Sequence, residues 1–119
     1  MKFAYIAGPY RAKHPYQGDL NIMNAKIVGI EIALLGLFPI IPHVNTAHMD
    51  GIQDDHFWLM GTLELLQRTA DVLILISGWA ESAGVQMELE EACKRMHIPT
   101  YIWPAERDAL KTFIKGDRT

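Results

Sequence analysis

The chain holds one cysteine, Cys93, in 119 residues, so no intramolecular disulfide can staple it and the fold must rest on a hydrophobic core. A chain this long buries such a core unaided and reads as one domain over residues 1–119. Excess positive charge is also missing. Eleven Lys and Arg against fourteen Asp and Glu leave a net charge of −3, with no basic stripe to neutralise a run of phosphates, which argues against a nucleic-acid polymer as partner. The most apolar stretch, residues 27–42, is interrupted by Glu31, Pro39 and Pro42 and falls short of the roughly 20 residues that span a bilayer. Residues 1–5 lead straight into a strand, leaving no room for a signal peptide, and a soluble cytoplasmic protein is expected. The Gly-x-Gly-x-x-Gly fingerprint is absent, so no dinucleotide cofactor is expected. His43, His48, Asp50, Asp54, Asp55 and His56 cluster in one loop but form no His-x-x-x-His pair, so no metal is expected either.

What is present is an alternation of short β-branched runs and helical periodicities, punctuated by Gly and Pro. Strands are expected over 2–7, 38–41, 72–76 and 100–103, and helices over 19–37, 57–68, 84–96 and 106–114, with a polar loop over 43–55. The continuous apolar strands belong in a sheet covered on both faces. The expectation is a single doubly wound α/β domain, flavodoxin- or Rossmann-like, with a mostly parallel sheet. The first helix is apolar nearly all round, leaving a polar strip at Asn24, Lys26 and Glu31. Such a helix needs a second partner besides the sheet; a homodimer or larger assembly would supply one, and a long loop folding back over it would serve equally well.

Between Asp71 and Pro104, the run Val72-Leu73-Ile74-Leu75-Ile76 breaks at Ser77-Gly78-Trp79 and restarts at Ser82-Ala83-Gly84-Val85. Strand, loop and helix start follow one another, and the first helical turns then lie outside the carboxyl edge of the sheet, where open α/β folds bind ligands. On a helical wheel Val85, Leu89, Ala92, Cys93 and Met96 form the packed stripe, which makes Cys93 a small buried hydrophobe. Glu88 sits roughly 80° from the stripe centre, Glu90 about 115° and Glu91 about 145°. Of the three acids Glu88 borders the core, where partial desolvation suits a nucleophile or general base. A solvated helix-face glutamate behind an ordinary Ser82 cap is the alternative.

The loop after the first strand, Gly8-Pro9-Tyr10-Arg11, lies at the same edge. Gly8 would let backbone approach a ligand, successive amides could form an anion nest, and Arg11 would hold a phosphate. Tyr10 and Trp79 flank the crevice and are candidates for stacking a nucleobase. The loop over 43–55 is a candidate lid.

Together, Tyr5-x-x-Gly8-x-x-Arg11 and Ser82-x-Gly84-x-x-x-Glu88 resemble the two characteristic segments of the nucleoside 2-deoxyribosyltransferase-like superfamily, which includes deoxynucleoside monophosphate N-glycosidases and small phage-associated members of unassigned function. The resemblance implies cleavage of the N-glycosidic bond of a nucleoside or its 5'-monophosphate. It makes Glu88 the nucleophile and Tyr5 the phenol that holds its carboxylate, with Gly8, Arg11, Ser82 and Gly84 as sugar or phosphate ligands, Pro9 and Tyr10 beside them in the substrate site, and no cofactor. The family usually carries an aspartate near the start of the helix before the third strand, which helps protonate the leaving base. Here that stretch reads Met60-Gly61-Thr62-Leu63-Glu64, leaving Glu64, Asp54 or Asp55 as substitutes. A nucleotide-binding module without catalysis, or an oligomeric interaction protein, are the readings from other classes.

Overall fold

The computed structural model describes residues 1–117. In chain order the elements are β1 (Phe3–Ala7), α1 (Pro15–Leu34), β2 (Phe38–Ile40), α2 (Pro42–Asn45), α3 (Asp55–Thr69), β3 (Val72–Leu75), a 3-10 turn (Trp79–Glu81), α4 (Ala83–Glu90) running into a π-helical turn (Glu91–Met96), β4 (Thr100–Ile102) and α5 (Arg107–Asp117). The four strands lie in the order β2-β1-β3-β4 and every pairing is parallel. The fold is α/β and flavodoxin-like.

Side chains alternate across each strand and so build two cores. Ala4, Ile6, Val72 and Ile74 face Ala25 and Ile32 of α1 and Leu110 and Ile114 of α5. On the opposite face Tyr5, Ala7, Leu73 and Leu75 pack against Leu66 of α3, Val85 of α4 and Ala92. The strands are buried on both sides, which is why they read as unbroken apolar runs. From β1 the chain crosses to β2 on one side and later returns to β3 on the other, so the order reverses between β1 and β3. That reversal is the place where doubly wound sheets open a crevice at their carboxyl ends.

Helix α1 begins at Pro15, four residues earlier than the periodicity suggests, with Pro at its first position and no side-chain cap. A prolyl ring presets the helical φ and has no amide to leave unpaired. Tyr16, Leu20, Met23, Ile27, Ile30 and Leu34 remain exposed along this helix, from 47% at Ile27 to 83% at Leu34. Their spacing of four, three, four, three and four is the seam pattern of two helices packing side by side. No helix among the described residues is long and apolar enough to cross a membrane.

The end of the α4 segment departs from the wheel. From Glu91 to Met96 the helix is π-helical, and each wider turn holds more residues than an α-turn and rotates everything beyond it. Cys93, expected in the packed stripe, is therefore exposed, with its Sγ 3.7 Å from Thr100 Oγ1. Glu91, expected furthest round the solvent face, has a side chain only 12% exposed and accepts a 2.7 Å hydrogen bond from Gln67 on α3.

Candidate functional site

A cleft of about 510 Å³ opens at the β1–β3 reversal, within the size range of small-molecule sites. One wall is the loop after β1, another is α4 with the turn before it, and the third is α2, the loop beyond it and the start of α3.

The β1 loop is held by its carbonyls. His43 of α2, 5% exposed, sets Nε2 3.1 Å from the Gly8 carbonyl and 3.0 Å from that of Pro9. Carbonyls only accept, so Nε2 carries the proton. Burial pushes the imidazole below its ordinary pKa and so favours its neutral form, and Nδ1 is left buried with no protein partner. Asn21 of α1 donates to the next carbonyl, that of Tyr10, at 3.3 Å. Gly8 is needed because a Cβ there would lie 2.3 Å from Ile76 Cγ1, so β1 and β3 close up behind the loop. The expected anion nest does not form. None of residues 8–11 adopts the left-handed conformation that alternates in such nests, and Pro9 has no amide to give.

On the facing wall Gly78, at φ 89°, turns the chain out of the sheet, and Ser82 caps α4 by accepting from the Val85 amide at 3.3 Å. Gly84 differs from the other two glycines. A Cβ there would meet only Ser82 Oγ, at 3.9 Å, so the fold leaves the space before it open to the cleft.

Glu88 lies one turn further on and lines the cleft while 9% exposed. Burial raises its pKa to about 7, and the hydrogen bond from the Tyr5 hydroxyl pulls it partly back. Tyr5 is fully buried, and burial followed by the Glu88 charge pushes its own pKa far above the ordinary phenol value. It remains a donor, within 3.3 Å of the Thr62 carbonyl as well as against Glu88. A buried acid able to shed its proton near neutrality, steadied by a phenol, is suited to nucleophilic or base chemistry.

The sequence-expected ligands divide. Gly8, Pro9, Tyr10, Arg11, Ser82, Gly84 and Glu88 line the cleft together. Trp79 does not; its ring packs on the core between the sheet and α4, and the aromatic wall is formed by Tyr10 and Trp58 instead. Glu64 is excluded as the substitute acid, because it lies on the far side of α3 with Met87 and Arg95 and pairs with Arg68. Asp54 is occupied as the α3 cap, accepting from the Phe57 amide at 2.8 Å. Asp55 reaches the cleft mouth, where Arg11 clasps both its oxygens. Asp50, also at the mouth, accepts from the Tyr10 hydroxyl at 3.0 Å.

His43, Thr46, Asp50, Trp58, Thr62 and Glu81 join the lining without having been singled out as ligands from sequence. The Pro42-His43 start of α2, directly after a strand, is the one local signal that could have found His43. Among the described residues no group of three or more His, Cys, Asp or Glu side chains is placed to hold a metal ion.

Fold and cleft together define a flavodoxin-like α/β protein with a buried glutamate at its switch point. No family model matches the chain, and no curated protein matches it.

Proposed function

We propose that the protein cleaves the N-glycosidic bond of a nucleoside or nucleotide, as a member of the nucleoside 2-deoxyribosyltransferase-like superfamily. The observation that carries this reading is Glu88, buried at the cleft floor with a pKa near 7 and a phenol at its side. The ionised carboxylate attacks the anomeric carbon as an oxocarbenium-like state develops, and water or a second base then releases the sugar. This is the two-step course of retaining glycosidases with a nucleobase as leaving group. Tyr10 and Trp58 hold the base, and the first-turn amides of Ala83 and Gly84, which have no partners within the helix, meet sugar oxygens.

The test is chromatography for released base from a panel of nucleosides and their monophosphates. Any substrate found is then remade with a 2-fluoro-2-deoxyarabinosyl sugar, whose fluorine slows both steps. A sugar adduct on the peptide carrying Glu88 is the expected result, and an adduct elsewhere removes Glu88 from the mechanism.

Gly84→Ala separates ligand space from fold. Because the added methyl meets only Ser82 Oγ and alanine favours helix over glycine by about 0.5–1 kcal/mol, the variant should melt no lower than the parent. Its base release should nevertheless fall by roughly tenfold or more as the methyl displaces the sugar. Unchanged turnover would place the sugar elsewhere.

The assembly we propose is a homodimer in which the exposed α1 seam packs against its copy. Ile27→Glu, at the seam's centre, should convert it to monomer in sedimentation velocity at micromolar concentration. A parent protein that already sediments as a monomer refutes the dimer.

A further inference from the structure

The cleft carries an excess of negative charge that a phosphorylated substrate would have to overcome. Arg11 is the one Lys or Arg of the described residues that lines it, and both its terminal nitrogens are engaged by Asp55. With that pair neutralised, Asp50, Glu81 and Glu88 remain on the wall with no cation among them. Burial favours the neutral form of His43. Lys13, His14 and His48 border an adjoining groove that meets the cleft at Tyr10, Arg11, Asp50, Asp55 and Trp58 and lies on the outer side of the Arg11–Asp55 pair. The N-terminus of α4 brings about half a positive charge, too little to balance Asp50 and Glu81, to which Glu88 adds a third charge once ionised.

A second observation concerns the leaving group. An ordinary nucleobase leaves poorly as an anion and needs a proton from the enzyme. None of the acids that the sequence offered for that work is positioned for it, and of the two others on the wall Asp50 is engaged by the Tyr10 hydroxyl and Glu81 stands exposed. Glu64 is on the far side of α3, Asp54 caps that helix, Asp55 is tied to Arg11, and Thr62 stands in the cleft with its hydroxyl turned back to the Leu59 carbonyl at 3.0 Å.

Both observations suit one class of substrate. Resting on the N-glycosidase reading, we propose that the preferred substrate is a nucleoside whose base already carries a positive charge, an N-alkylated purine or a pyridinium riboside, without a 5'-phosphate. Such a base needs no acid. The Glu88 carboxylate forms the ester bond to the anomeric carbon as the carbon–nitrogen bond breaks, and the bonding pair goes to the cationic nitrogen, so the base departs neutral. Water then attacks the ester, giving the free sugar, the carboxylate and one proton. The bound cation also favours the ionised form of Glu88 that must attack, whereas a bound phosphate opposes it.

The experiment measures kcat/KM for base release from 7-methylguanosine and nicotinamide riboside, against guanosine and guanosine 5'-monophosphate. It is run in mildly acidic buffer, with ribose and 2'-deoxyribose forms of each. The cationic nucleosides should be cleaved at least about 100-fold more efficiently than guanosine, and the monophosphate least. Cationic N-glycosides are intrinsically labile, so the ratio is measured again in Glu81→Gln and in Glu81→Gln with Asp50→Asn. It should fall roughly tenfold as wall charge is removed. Glu81 is exposed, so the single variant serves if the double variant misfolds. A ratio that neither variant changes assigns the preference to lability and overturns the proposal. Faster cleavage of guanosine or its monophosphate overturns it while leaving the glycosidase reading intact. Release of no base from any of these compounds in either sugar form overturns the proposal, and release of none from the wider panel of nucleosides and monophosphates removes the glycosidase reading itself.

Discussion

Glu88→Gln should lower base release by roughly a thousandfold or more while making the protein more stable at neutral pH. Both effects follow from one fact. The folded protein holds the Glu88 carboxyl at a pKa of about 7 against 4.5 for a free glutamate. A group whose folded pKa is raised contributes its full share of stability below the unfolded value and loses it as pH climbs through the folded one. Between pH 4.5 and 7, therefore, ionisation progressively costs stability, on the order of 3 kcal/mol once complete. Glutamine fills the same space and never ionises. Melting curves at acid and mildly alkaline pH should show variant and parent close together at the acid end, with the variant higher by roughly 10 °C at the alkaline end. Comparison with the parent at each pH cancels other titrating groups, His43 included. A Glu88 on the solvated face would show neither the separation nor the loss of rate.

Tyr5→Phe carries the second large effect. In the proposed mechanism turnover needs ionised Glu88, so kcat/KM for a substrate without its own ionisation in this range should rise with pH through a limb near 7 and then level off. The Tyr5 hydroxyl lowers the Glu88 pKa by hydrogen bonding to the carboxylate. Removing it shifts the limb to higher pH and leaves less nucleophile at neutrality, and kcat/KM there should drop by about ten- to a hundredfold. The Thr62 carbonyl also loses its partner, so a modest fall in melting temperature is expected. The limb separates the roles. A variant slower at every pH with its limb in place would mean that Tyr5 only packs.

The strands and the Glu88 position were legible because each rests on local pattern. Val72–Leu75 and Phe3–Ala7 are buried on both faces and look so in sequence, and Glu88 stands before the helix changes pitch. Cys93 was misplaced because it follows that change, and a π-helical turn leaves no mark in residue types; Glu91, where the turn begins, is covered instead by Gln67 of α3. Helix α2 escaped notice since four residues make too little of a turn to show a period. The cleft residues His43, Asp50 and Trp58 come from a connection whose path depends on what it packs against. Trp79 looked like a stacking ring because of its place in the chain, but from the 3-10 turn it packs, partly buried, against the core. The exchange of Trp79 for Trp58 is a tertiary outcome.

The Arg11–Asp55 clasp across the cleft mouth bears on time as well as charge. Both side chains are mostly exposed, at 67% and 77%, and exposed side chains change rotamer within roughly picoseconds to nanoseconds. An enzyme turning over about 1–1,000 times a second meets such a door open many thousands of times per cycle. Entry and exit are then never the slow step on its account. How long a molecule stays is then decided behind it, in the proposed reaction by the Tyr10 and Trp58 walls and by the rate at which Glu88 attacks.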